Sequence, residues 1–162
     1  MKYGYIESPI GPLLLAGELT GNKEELHYIG FPSGKGKVVP KDSWEHQDGC
    51  LSEAARQLDE YFRGERHDFD LVLAPHGTEF QLQVLNELQK IPYGKTCTYQ
   101  DVAVAINRPK AVRAVGAANG RNPLPIVIPC HRVIGANGSL TGFGGGLDVK
   151  EYLLGLEAGI IR

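Results

Sequence analysis

Three times after residue 75 the chain repeats a signature that opens a helix: Thr78 with Gln81, Thr98 with Asp101, and Asp148 with Glu151. In each, a short polar side chain can cap the helix start while the residue three positions on reaches back to the cap's own N–H. Apolar residues follow at helical spacing. Phe80, Val84, Leu85 and Leu88 form one inner stripe up to the break at Pro92, and Val149, Tyr152, Leu153 and Leu156 form another that Gly159 ends. Between them the Thr98 signature opens a short helix to about Ile106. Asn107-Arg108-Pro109 breaks it, and the small residues of KAVRAVGAANG make a second helix stopped at Asn119-Gly120. Two short helices on a tight turn match a helix-turn-helix, although small helix pairs also occur in cores that touch no DNA.

The chain before residue 75 is patterned differently. Tyr3 and Tyr5 alternate with smaller residues, SPIGP makes a turn, and LLLA, LHYIGF and FDLVLA read as extended runs. FPSGKGKVVPKD, rich in Gly, Pro and Lys, reads as a mobile loop. LSEAARQLDEYF places Leu51, Ala54, Ala55, Leu58 and Phe62 on one helical face and closes at Arg63-Gly64. No internal repeat or low-complexity tract interrupts this plan. The expected fold is α/β, of the α+β kind: a small sheet-plus-helix domain over 1–75, then a mostly helical domain over 76–162.

A chain of 162 residues has room for one full domain or two small ones. No apolar run approaches the roughly 20 residues of a membrane span, and the N-terminus lacks the apolar segment of a secretory signal, so the cytoplasm is expected. Three cysteines without CxxC spacing suggest neither a disulfide framework nor a zinc site. Charge is uneven: residues 1–75 carry 8 Lys/Arg against 13 Asp/Glu, whereas residues 76–162 carry 9 against 6. No acid occurs between Asp101 and Asp148, where Arg108, Lys110, Arg113, Arg121 and Arg132 all lie. Such a stretch is a candidate phosphate-binding surface, or simply a solvated face.

Within it, the prolines of NPLPIVIP forbid helix and lead into PCHRV. A thiol is a useful nucleophile only as thiolate, so Cys130 needs a base or positive charge close by, and His131 and Arg132 are candidates. Neighbouring side chains on a continuing strand point to opposite faces. Either the chain turns at Pro129 or water joins imidazole to sulfur; the alternative is that Cys130 is a small buried residue at a strand end. A base deaminase would need PCxxC and HxE, but Val133 stands three after Cys130 and no histidine begins HxE. A cysteine protease would need a distant His and an orienting Asn or Asp, for which His76 and Asn122 stand in no recognisable context. A thiol that accepts a group from DNA is the third reading, and spacing alone does not choose.

With its flanks, GTEFQLQVLNELQKIPYGKTCTYQDVA, KAVRAVGAANGRNPLPIVIPCHRVIGANGSLTGFGGGL and KEYLLGLEAG, the motif closely resembles the O6-alkylguanine-DNA alkyltransferases, the methylated-DNA–protein-cysteine methyltransferase family. The match is dense from about Gly77 to Gly159 and loose before it. The resemblance implies a ribonuclease H-like N-terminal domain, a winged helix-turn-helix, and DNA repair by direct reversal of damage. Double-stranded DNA carrying alkylated guanine would be held by its minor groove and the base flipped out. The alkyl group of O6-alkylguanine, and of O4-alkylthymine, would pass irreversibly to Cys130. Glu157, His131 and a water would withdraw the thiol proton, Asn122 would orient the segment, and Tyr99 would donate to the departing base. Arg113 would replace the extruded nucleotide, with Lys110, Ala111, Gly116 and Arg121 completing the DNA contact. Val133, Phe143 and Gly144 would line the base pocket.

The resemblance also implies a monomer that needs no cofactor. Some relatives bind zinc in the N-terminal domain, but Tyr3, Tyr5 and His27 offer no thiol-containing ligand set, so no metal is expected. Leu85 stands where the family often has Trp, and Phe143-Gly144 where others carry Tyr and Ser; a pocket wall of GGG implies tolerance of alkyl groups larger than methyl. Two rivals differ in class. A non-catalytic binder of alkylated guanine would lack the reactive cysteine, and a gene-regulating sensor would need a further segment.

Overall fold

The computed structural model describes residues 1–140 and 143–160. Its first half is a five-stranded sheet: β1 (Lys2–Ile6), β2 (Leu13–Thr20), β3 (Lys23–Gly30), β4 (Glu45–His46) and β5 (Val72–Leu73), in the order β4-β1-β2-β3-β5. The two hairpins β1/β2 and β2/β3 are antiparallel, and the short outer strands β4 and β5 add in parallel. The expected FDLVLA strand contracts to the two residues of β5. Leu13, Leu14, Leu15 and Ala16 are buried in succession, which marks β2 as covered on both faces rather than on one. Gly17 marks the bulge of β2: a Cβ there would lie 2.1 Å from the Glu25 carbonyl oxygen, so no side chain fits without parting the strands.

Helix α1 (Ser52–Phe62) packs Ala54, Leu58 and Tyr61 into the core. The second half opens with α2 (Glu79–Leu88), followed by β6 (Cys97–Thr98), α3 (Tyr99–Ala105) and α4 (Val112–Gly120). Both expected capping boxes, Thr78–Gln81 and Thr98–Asp101, form in full. Residues Cys130–Arg132 make a single turn of 3-10 helix that runs into β7 (Val133–Ile134), which pairs in parallel with β6. The last helix, α5 (Leu147–Glu157), corrects one expectation: it starts from Gly146, at φ 94°, and no side-chain cap joins Asp148 to Glu151. A glycine can take this left-handed φ, which lets the chain cap the helix two residues early.

The halves share one apolar core that runs from Leu13 and Leu58 through Leu85, Val115 and Ile128 to Leu156. The backbone joins them too, with Ile29 N–H donating to Pro123 O at 2.9 Å. No helix among the described residues is long and apolar enough to cross a membrane.

Candidate active site

The segment before the cysteine is held by asparagines. Asn122 accepts from Leu124 N–H at 2.9 Å and donates to Ile128 O at 2.8 Å, so one amide fixes both ends of a tight loop. Inside it, Ile126 sits at φ 76°, a conformation that costs a β-branched residue about 1–3 kcal/mol and persists only where its surroundings dictate it. Asn119, buried on α4, donates to Cys130 O at 3.3 Å. Pro129 closes this loop and the 3-10 turn begins directly after it, so the chain does turn at PCHRV.

Cys130 is buried, and removal from water pushes its thiol up to about 11. A hydrogen bond with Asn122 and the charge of Lys150 oppose that rise without cancelling it. The resting sulfur at neutral pH is therefore a thiol, and reaction requires its proton to leave. His131 is fully buried, and burial holds its imidazole below the ordinary histidine value despite the adjoining carboxylate. A neutral ring can accept a proton. Its Nε2–H donates to Glu157 Oε2 at 2.6 Å, while Nδ1 has no hydrogen-bond partner among the described residues.

Glu157 is the hub. It accepts from His131, from Arg132 Nε at 2.7 Å and Nη2 at 3.0 Å, from Tyr61 OH at 2.6 Å and from Gly94 N–H at 3.2 Å. Burial alone would raise its carboxyl, but the hydrogen bonds from His131, Arg132 and Tyr61 prevail and hold it well below the usual carboxylate range. Arg132 corrects the reading of the basic stretch. It is buried, its Nη1 donates to Ile91 O at 2.6 Å, and its guanidinium lies 5.7 Å from the Tyr93 ring centroid. It belongs to the Glu157 cluster and not to a phosphate-binding surface.

Arg108, Lys110, Arg113 and Arg121 are all exposed, on and beside the α3–α4 pair. Ala111 and Gly116 are half-buried there, and Gly116 brings the α4 backbone against the Tyr99 ring: a Cβ at 116 would sit 4.0 Å from it. Tyr99 is the first residue of α3, set by the Thr98 cap. Phe143 and Gly144 line a cleft of about 630 Å³ with Gly116, Arg121 and Lys35. Val133 is buried, and its carbonyl accepts from Lys150 Nζ at 2.6 Å. The cleft wall is tied to the N-terminal half: Gly36 N–H donates to Gly144 O at 2.8 Å, and Phe31 packs on Phe143 with ring centroids 5.5 Å apart.

Cys130, His131, Asn122 and Glu157, expected to work together, do converge. Tyr61, Asn119 and Lys150 were not foreseen in the site, nor was Arg132 in its role beside Glu157. Tyr61 and Lys150 left a trace in the sequence. Tyr61 falls on the stripe of Ala54 and Leu58, where a buried hydroxyl needs a partner, and Lys150 shares a helical face with Leu153 and Glu157. In the N-terminal half, His27 Nδ1 and His76 Nε2 share a hydrogen bond at 2.7 Å, and His27 Nε2 pairs with Glu25 at 2.8 Å. Among the described residues no three His, Cys, Asp or Glu side chains gather as a metal site.

Comparison with known proteins is consistent along the whole chain. Residues 79–159 match the model for the 6-O-methylguanine DNA methyltransferase DNA binding domain, and residues 1–75 match that for its ribonuclease-like domain. A methylated-DNA–protein-cysteine methyltransferase of Methanosarcina acetivorans is 56% identical over 157 residues, covering 97% of this chain and 98% of its own length. One from Mycobacterium bovis is 47% identical over 159 residues, covering 97% of this chain and 92% of its own. Mycobacterium tuberculosis OGT, solved in complex with DNA, superposes with a TM-score of 0.90 at 44% identity, covering 100% of this chain and 96% of that one.

Proposed function

This chain belongs to the 6-O-methylguanine DNA methyltransferase family, and from that membership we propose that it repairs alkylated DNA by taking the alkyl group onto Cys130. The observation that carries the residue-level reading is the buried His131–Glu157 pair directly after Cys130 in the chain: a protonated thiol is followed by a neutral imidazole whose Nε2–H donates to an ionised carboxylate. On this reading residues 76–162 grip duplex DNA from the minor groove and residues 1–75 support them. Exposed Lys110 and Arg121 meet phosphates, which gives affinity without sequence preference, as lesions at random positions require. Arg113 fills the gap left when the damaged base is flipped out, offsetting a cost of a few kcal/mol.

The chemistry then balances within the site. Water carries the Cys130 proton to His131 Nδ1, and Glu157 stabilises the imidazolium through Nε2–H. Sγ attacks the alkyl carbon as that carbon's bond to guanine O6 breaks; the electron pair moves into the base, and Tyr99 OH supplies a proton to it. Lys150, whose charge favours the thiolate, assists the first step. The product is a thioether, which no neighbouring group can readily hydrolyse, so each chain acts once. The same path serves O4-alkylthymine. All relay groups lie on one chain, which suits a monomer acting alone, and reduced thiols suit the cytoplasm. Excess oligonucleotide bearing O6-methylguanine tests the proposal: transfer should stop at one methyl per chain, and continued turnover would refute it.

A further inference from the structure

Tyr61 lies in α1, far along the chain from the helix-turn-helix, and it reaches the other half of the molecule. Its side chain is fully buried, and its hydroxyl donates to Glu157 Oε2 at 2.6 Å across a sequence separation of 96 residues. That oxygen is the one that accepts from His131 Nε2, also at 2.6 Å. The ring has little freedom. Phe62, Phe69 and Tyr93 surround it with centroids at 5.4, 5.6 and 6.2 Å, and Tyr93 is itself stacked on His67 at 3.8 Å. We propose that Tyr61 is a positioning residue for the reaction: the N-terminal half uses its hydroxyl to orient Glu157 and to set how strongly the carboxylate holds the His131 proton.

The inference rests on the reading of Cys130, His131 and Glu157 as the reacting line. Oε2 divides its negative charge among Tyr61, His131 and Arg132 Nη2. Removing one donor concentrates that charge on the others. The imidazole, held more strongly through Nε2–H, becomes more basic at Nδ1, so a higher pH is needed before it is neutral and able to take the thiol proton. Burial and the adjoining carboxylate hold the Tyr61 hydroxyl far above its ordinary value, so it stays a donor throughout the working range. The N-terminal half is then part of the reacting centre and more than a support for it.

The test is the pH profile of single-turnover methyl transfer, measured on the full chain with saturating protein and an O6-methylguanine oligonucleotide. Tyr61→Phe keeps the ring and loses the donor. Its acid limb should move up by about 1 pH unit, a roughly tenfold loss of rate on that limb, with rates converging at higher pH. DNA affinity, measured in a Cys130→Ala background, should not change. Leu58→Ala, a buried neighbour on α1 outside the reacting line, should lower stability and leave the limb in place. A ring-fluorinated tyrosine at 61, a stronger donor of nearly the same shape, should move the limb down, and it carries the test alone if the Phe variant does not fold. An unmoved limb in both Tyr61 variants, or an equal movement in Leu58→Ala, overturns the role of Tyr61. A wild-type chain that never methylates Cys130 instead overturns the reading beneath it.

Discussion

Arg132 is where charge read along the chain and charge placed in space part most sharply, and Arg132→Met separates the two. Methionine fills much the same volume while removing three hydrogen bonds: two to Glu157 and one to Ile91 O. The Arg132 and Glu157 side chains are only 6% and 1% exposed, so water cannot replace the lost partner. Breaking one side of such a buried pair costs about 3–5 kcal/mol, because the remaining charge is left uncompensated. The orphaned Ile91 carbonyl adds to this, partly overlapping, from a range of about 1–3 kcal/mol. A loss of about 4 kcal/mol is a quarter or more of the roughly 5–15 kcal/mol that holds a domain together, and it should lower Tm by about 10 °C. Urea unfolding followed by circular dichroism at neutral pH measures it. In a cycle with Glu157→Gln, the double variant should cost at least about 2 kcal/mol less than the two singles summed. DNA binding supplies the contrast: Lys110→Ala should reduce the slope of log affinity against log salt by about 1, while Arg132→Met leaves it unchanged. If Arg132→Met unfolds within about 1 kcal/mol of wild type, or lowers the salt slope, the buried assignment is wrong.

Thr98→Ala removes the cap that starts α3 at Tyr99, and should cost about 1 kcal/mol in urea unfolding while slowing methyl transfer. Gly36→Ala would place a Cβ 2.6 Å from the Phe31 ring and 2.9 Å from Gly144 C, so it should displace the cleft wall and slow transfer of adducts bulkier than methyl more than methyl itself. Competing oligonucleotides in one reaction would measure that ratio. Stability should fall as pH drops below about 6.5, the ordinary histidine value. His131 has its folded value lowered, so the unfolded chain binds the extra proton first; Glu157, lowered further, adds its loss below the ordinary carboxylate range. Thermal unfolding across the acid range checks the sign, and a melting temperature that rose on acidification would contradict it.

The helical half was legible because its signals are local. Thr78 and Thr98 cap the helices their spacing predicts, since a capping box needs only four consecutive residues. Asp148 failed because Gly146, two residues earlier, already turns the chain, and a left-handed glycine leaves no side-chain signature of its own. The strands were legible as β but not in extent: FDLVLA keeps only Val72 and Leu73, because its pairing depends on the edge that β3 offers. In the site, Cys130 and His131 are adjacent and Glu157 follows a recognisable pattern, so resemblance could gather them. Arg132 could not be placed, because a single 3-10 turn decides whether it faces solvent or Glu157. Tyr61 is 96 residues from its partner, and only the tertiary fold brings its hydroxyl to the end of α5.

The most direct measurement is the position of the alkyl group after reaction. The chain is incubated with a duplex containing O6-methylguanine, digested, and its peptides weighed. One methyl group per chain should appear on the peptide containing Cys130, with none on those containing Cys50 or Cys97, and Cys130→Ala should bind the duplex but leave it methylated. Methyl on another residue, repair by Cys130→Ala, or more than one guanine restored per chain would contradict the account.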